Sequence, residues 1–189
     1  LERTIIFAGT DNGSEKSFSA RFCGRVVRGG LYQMTEPGGN VPLIVYGPGL
    51  VPGGRTLKLA DFSDFLPTFC ELAGAPLPSG VTLDGRSFAR TLLDPSAPEP
   101  RQWIFNQYHQ ERVVSDGRFK LYRDGRLFDL AGDVDEQHDL ASSLDAPASE
   151  ARQRLAAVLD SLPADNEPPF PLRSQSMFRL RSGLGPSSK

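Results

Sequence analysis

Thr4-Ile5-Ile6-Phe7-Ala8 runs directly into Gly9-Thr10-Asp11-Asn12-Gly13. The first five residues are mostly apolar or β-branched with no polar alternation, the pattern of a buried strand. Continuous apolar strands suit a sheet covered on both faces, as in a parallel sheet flanked by helices. The five that follow are turn formers. A carboxylate and a carboxamide therefore sit just past the C-terminal end of a core strand, where open α/β sheets place their ligands. Asp11 offers a carboxylate and Asn12 a carbonyl oxygen, both hard donors suited to calcium or magnesium. Calcium takes about six to eight oxygens, so the pair is only part of any metal site. On these three residues alone, an Asx turn is the simpler reading.

Outward from this stretch, residues 14–40 carry no period and hold Gly24, Gly29, Gly30, Gly38 and Gly39. Such a long loop in a compact domain is usually functional or disordered. Val41-Pro42-Leu43-Ile44-Val45-Tyr46 is a second buried strand, with its proline at the permitted start. Gly47-Pro48-Gly49 and Pro52-Gly53-Gly54 are turns. They fail as a nucleotide-binding glycine loop because Pro52 takes the third glycine's place and no helix follows. Residues 61–73 read as a helix, with Phe62, Phe65, Leu66, Phe69, Leu72 and Ala73 in one stripe. Asp61 or Ser63 caps it, Pro67 fits its first turn, and Gly74 ends it. Cys70 within it reads as a small buried hydrophobe.

After a proline- and glycine-rich connector over 75–101, the texture changes. Four short strands are expected at 103–108, 112–115, 119–122 and 126–129. Asp116-Gly117 and Asp124-Gly125 mark hairpins between the last three, so the reading is an antiparallel meander. Residues 146–162 form an amphipathic helix with Ala151, Leu155, Val158, Leu159 and Leu162 on one face. From Pro163 an extended or disordered tail is expected. The domain reading is thus an α/β core over 1–101, a sheet-and-helix subdomain over 102–162, and a tail over 163–189.

The 189 residues are 39% hydrophobic and 23% charged, with a formal net charge of −2. That balance carries no basic footprint for nucleic acid, and no apolar run reaches the ~18 residues of a membrane span. Cys23 and Cys70 make no disulfide framework and lack zinc-site spacing, and the only histidines are His109 and His138. The chain opens at Leu1 with no charged region followed by an apolar stretch. Because a domain seldom opens on its own core strand, the reading expects a C-terminal piece of a longer protein.

The order of motifs carries more than any one of them. Asp11-Asn12-Gly13 is followed by Asn40-Val41-Pro42-Leu43-Ile44-Val45, Pro48-Gly49, Asp61-Phe62-Ser63-Asp64-Phe65-Leu66-Pro67-Thr68 and Leu72-Ala73-Gly74. Leu83-Asp84-Gly85-Arg86-Ser87, Arg118-Phe119-Lys120-Leu121, Leu127-Phe128-Asp129-Leu130, Asp133, Glu136 and Asp139-Leu140-Ala141 complete the series. Over residues 3–162 this resembles the C-terminal part of a type I, arylsulfatase-like sulfatase of the alkaline-phosphatase-like superfamily. The resemblance implies an α/β fold with a small antiparallel sheet and helix at its C-terminal end. It also implies hydrolysis of sulfate esters, on small molecules or glycans, by a formylglycine and a calcium ion, with magnesium as the alternative. Metal Lewis acidity and fixed cations would stabilise the developing negative charge. In that pattern Asp11 and Asn12 match the second pair of calcium ligands, and the first acidic pair belongs upstream.

Departures from the pattern are equally specific. Neither cysteine lies in the C/S-x-P/A-x-R motif that becomes formylglycine, and Ser96-Ala97-Pro98-Glu99-Pro100 places Arg101 one residue late. The mid-chain catalytic histidine has no counterpart. Where relatives read Gly-Gly-Lys, this chain reads Gly29-Gly30-Leu31, and leucine cannot neutralise sulfate. Arg28 and Lys16 are the neighbouring cations, read as solvated loop charges. Asp129, Asp133, Asp135, Glu136 and Asp139 lack the EF-hand glycine and terminal glutamate and read as caps of a helical turn. The two histidines read as surface or packing groups. Three functions stay open: part of an active sulfatase, part of a phosphoric or phosphonic ester hydrolase, or a non-catalytic sulfatase-like binding protein. The chain by itself is expected to be inactive.

Overall fold

The computed structural model describes residues 2–163. The expected tail, Pro163 apart, lies outside these residues. In chain order the elements are β1 (Ile6–Gly9), β2 (Ser19–Phe22), β3 (Arg25–Arg28), α1 (Glu36–Gly39), β4 (Leu43–Tyr46), α2 (Phe65–Ala73), α3 (Ala89–Leu93), β5 (Ile104–Tyr108), β6 (Glu111–Ser115), β7 (Phe119–Tyr122), β8 (Leu127–Asp129) and α4 (Ala146–Ser161). They form three antiparallel sheets among the described residues: β1–β4, β2–β3 and the four-stranded β5–β6–β7–β8. No described helix is long and apolar enough to cross a membrane.

The meander forms where the Asp-Gly turns place it. Gly117 and Gly125 adopt φ of 89° and 95°, which a side chain would resist. The Asp116 carboxylate accepts from the backbone N–H of Arg118 at 3.0 Å and of Phe119 at 2.7 Å, fixing the first turn. The register sets Val114 opposite Leu121 and Leu121 opposite Leu127. This face packs on Ala148, Ala151 and Leu155 of α4, with Val158, Leu159 and Leu162 alongside, so the expected apolar stripe is the buried one. The other face carries Val113, Tyr122 and Phe128, and it is covered by Met34 from the long N-terminal loop. Covered on both sides, β7 is buried along its whole length.

β1 and β4 differ from the parallel arrangement expected of them. They pair antiparallel, Ile6 opposite Tyr46 through Gly9 opposite Leu43. Parallel neighbours need a crossover, usually a helix, on one face. Here the connection is spent on the β2–β3 hairpin and the single turn α1. The pair also exposes apolar side chains: Ile6 is 44%, Ile44 64% and Tyr46 55% accessible. Two strands with open edges are marginal alone and invite pairing with other chains. This chain is therefore expected to self-associate at tens of micromolar, roughly the range where exposed edges aggregate. Ile44→Lys should raise its solubility with an unchanged far-UV spectrum. A monomer with a sharply cooperative melt, seen by sedimentation and calorimetry, would contradict this.

The helix expected at 61–73 opens as a 3-10 turn at Phe62–Asp64 and continues as α2. Asp61 and Asp64 form a reciprocal capping box, and Gly74 closes the helix at φ 64°. Phe65 and Phe69 meet Phe7 of β1, ring centroids 6.0 and 5.0 Å away, which ties the helix to the sheet. Phe62 and Leu66 of the stripe stay exposed. The Asp64 carboxylate is fully buried, accepts from Asp61 N at 2.8 Å and Arg86 N at 2.6 Å, and pairs with the buried Arg101 guanidinium. It thereby pins the connector, whose short α3 gave no periodic signal, against α2.

Candidate functional site

Asp11 and Asn12 lie just beyond β1, both exposed. Asp11 lines a cavity of about 190 Å³ with Phe7, Gly9, Leu43 and Phe65. Their backbone is fixed by a crossing of glycine-rich segments. Gly13 N–H donates to Gly38 O at 3.0 Å, and Leu31 N–H donates to Ser14 O at 3.0 Å. A Cβ on Gly13 would stand 1.9 Å from Pro37 O, and one on Gly38 would stand 2.1 Å from Gln33 O. Only hydrogen fits at these positions, and the same holds at Gly29 and Gly30, so these glycines of the loop mark close backbone approach.

The Asx-turn reading of Asp11 can be compared with other aspartates in the chain. Asp61, Asp94, Asp116, Asp124, Asp129 and Asp139 each accept from the backbone N–H two residues on. Asp11 makes no such bond among the described residues. Its carboxylate and the Asn12 carboxamide both stand exposed beyond the strand. As donors they suit calcium or magnesium in kind. They do not suffice in number: no cluster of three or more candidate metal-binding side chains occurs among the described residues.

Leu31 is half-buried, and its backbone hydrogen bond to Ser14 sets it beside the Asp11-Asn12-Gly13 segment. Arg28 ends β3 and Lys16 sits in the preceding turn, both exposed. The loop is not structureless. Cys23 and Gly24 form the left-handed tip of the β2–β3 hairpin, φ 49° and 80°. The hairpin's strands are four residues each and mostly exposed, so they leave little buried pattern in the sequence.

A buried ionic cluster lies on the same loop's far side. Lys120 Nζ donates to Glu36 Oε1 at 3.2 Å and to Glu136 Oε1 at 2.9 Å. Glu136 Oε1 also accepts from Glu36 N at 3.1 Å, and its Oε2 accepts from the Tyr122 hydroxyl. Burial, followed by the Glu136 hydrogen bond, pushes the Tyr122 phenol well above its ordinary range, which keeps it a donor. The cap reading holds for Asp129, Asp133 and Asp139, whose carboxylates accept from backbone N–H groups nearby. It fails for Glu136, which turns inward at φ 53°, and for Asp135, which pairs with Arg25 at 3.1 Å. Nothing in linear spacing marks Glu36, Lys120 and Glu136 as partners. His109 and His138 are both exposed, His138 Nδ1 lying 3.5 Å from Asp133.

Comparison with known proteins bears on what this arrangement is. No family model matches the chain. It is 31% identical to arylsulfatase A of Bos taurus over 186 residues, covering 81% of this chain and 36% of that protein. It is 40% identical to arylsulfatase A of Homo sapiens over 106 residues, covering 56% of this chain and 20% of that one. The chain thus spans about a third or less of these relatives. A solved structure concerned with glycosaminoglycan metabolism in Bacteroides thetaiotaomicron superposes with a TM-score of 0.65 at 22% identity, over 85% of this chain and 38% of that one. Another, solved with its substrate D-glucosamine-2-N,6-O-disulfate, superposes at 0.61 and 21%, over 85% and 34%.

Proposed function

The chain belongs to the arylsulfatase-like sulfatases, with their alkaline-phosphatase-like α/β fold, and from that premise we propose that it forms the C-terminal portion of a sulfuric ester hydrolase. Its substrates are sulfated small molecules or glycans. The observation that carries this reading is the Asp11-Asn12 pair, held at the end of β1 by the Gly13–Gly38 and Leu31–Ser14 hydrogen bonds, with its carboxylate unspent on a turn. Asp11 and Asn12 would hold a calcium or magnesium ion, which supplies Lewis acidity toward sulfate oxygens. Gly13 and Gly38 hold the two donors where the strand ends. The formylglycine nucleophile, the first acidic pair and the catalytic histidine belong to upstream sequence. The exposed apolar residues Ile6, Ile44 and Tyr46 fit a sheet that continues there.

The experiment is an aryl sulfate assay of the full-length protein with and without Asp11→Ala. The variant is expected to lose roughly a hundredfold or more in kcat/KM, several kcal/mol of metal-assisted stabilisation. Full activity in the variant would remove Asp11 from the site. Leu31, apolar where the sulfatase pattern implies a lysine, favours the second reading, a non-catalytic sulfatase-like binding protein. A wild type that binds sulfate esters but hydrolyses none would select it, and turnover of phosphate or phosphonate esters alone would select the related hydrolase.

For the chain by itself the expected result is no turnover. The purified 189 residues should leave an aryl sulfate intact in millimolar calcium. Hydrolysis that disappears in Asp11→Ala would show that the missing groups are not needed.

A further inference from the structure

The loop over residues 31–40 stands between two things: the Asp11-Asn12-Gly13 segment on one side and the C-terminal sheet on the other. Its hold on the sheet is a mixed one. Met34 packs on Val113, Tyr122 and Phe128, and the Tyr32 ring stacks on Tyr108 of β5 at 5.9 Å. Between these contacts sits the ionic cluster. The side chains of Lys120 and Glu136 are 4% and 3% exposed, and that of Glu36 is 17%. One ammonium thus separates two carboxylates in a largely dry place, where unscreened charges interact strongly.

We propose that Lys120 and Glu136 of the C-terminal sheet unit are positioning residues for the Asp11-Asn12 site, acting through α1. The connection is two hydrogen bonds joined by short stretches of covalent backbone. Glu136 Oε1 receives the Glu36 N–H that opens α1. Gly38, within the same turn, receives Gly13 N–H at 3.0 Å. Asn12 and Asp11 are the next residues back along the chain. Lys120 keeps Glu36 and Glu136 together. Without its ammonium the two carboxylates face each other, and the turn carrying Gly38 leaves the sheet, taking Gly13 and Leu31 with it. The C-terminal unit is therefore part of the site's architecture although none of its described residues lines the cavity beside Asp11. The proposal rests on the reading of Asp11 and Asn12 as site residues for its meaning, while its test needs no sulfate ester to be cleaved.

The test is amide hydrogen exchange on the full-length protein. In Lys120→Met the amides of Gly13 and Leu31 should exchange about tenfold or more faster, while Val114 and Leu121 in the sheet keep their protection. Adding Glu36→Gln removes one of the two facing carboxylates and should restore most of the loop's protection. Lys120→Arg should behave as the parent chain. If Lys120→Met does not fold, Glu136→Ala decides, since it removes the acceptor of the Glu36 N–H while Lys120 keeps Glu36 as its counter-charge, and it should release the same two amides. Unchanged exchange at Gly13 and Leu31, or equal acceleration through the sheet without rescue by Glu36→Gln, overturns the proposal. Either result would do so even if the full-length protein is an active sulfatase.

Discussion

Replacing Asp64 with alanine is expected to cost this chain about 3–5 kcal/mol of stability, the range for breaking a buried ion pair from one side. Asp64 is fully buried, and one carboxylate serves Asp61 N, Arg86 N and Arg101 together. Removing it leaves the Arg101 guanidinium, 7% exposed, without its counter-charge and two backbone donors without an acceptor. Arg101 also donates to Trp103 O at 3.3 Å, so the chain's single tryptophan sits beside the lesion and reports on it. Followed by Trp103 fluorescence, the urea midpoint should fall by roughly 2 M. Asp124→Ala, at an exposed pair with Arg126, should stay within about 0.5 kcal/mol of the parent. Similar midpoints for the two variants would show that the Asp64 pair contributes no more than a surface pair. The sign is fixed by desolvation: the pair need not stabilise the fold relative to an apolar one, yet half of it cannot stand alone.

Asp64 also shows where the sequence was legible and where it was not. Its place in a helix start was readable, because a cap acts within four residues and leaves a local pattern. Asp61 and Gly74 were found for the same reason, as were the Asp-Gly hairpins and the stripe of α4. The pairing of Asp64 with Arg101 and of Glu136 with Lys120 and Glu36 was not readable. These contacts join residues 37, 16 and 100 positions apart, and a buried carboxylate looks like a surface one in sequence. The β2–β3 hairpin was missed because its side chains are mostly exposed and so carry no alternation to detect. The antiparallel pairing of β1 with β4 is not legible because a continuous apolar run carries no direction, and the burial it suggests is not met by these mostly exposed strands. As for the candidate site, the place of Asp11 and Asn12 after a strand is what the sequence shows of it. The glycines that hold them were seen only as loop composition, since close approach between Gly13 and Gly38 is a property of the folded backbone.

In the full-length protein, Leu31→Lys is expected to raise kcat/KM on an aryl sulfate by roughly tenfold or more. Leu31 N–H is bonded to Ser14 O at 3.0 Å, which sets residue 31 against the segment carrying Asp11 and Asn12. The side chain is half-buried, so an ammonium placed there is less screened than one in open water. A sulfate ester carries its negative charge into the site and concentrates it further as the bond to the leaving group breaks. A fixed cation therefore favours the transition state over the free substrate, an effect of a few kcal/mol where water is excluded. Neither neighbour supplies this: Arg28 and Lys16 are both exposed, and each would lose hydration to reach inward. Leu31→Met, similar in volume and uncharged, is the control and should leave the rate near that of the parent. Comparing kcat/KM for the three proteins on one aryl sulfate separates charge from shape. A rate for Leu31→Lys at or below that of Leu31→Met would mean that residue 31 does not face the sulfate, and that the apolar side chain is part of a site built for a different ester or for binding alone.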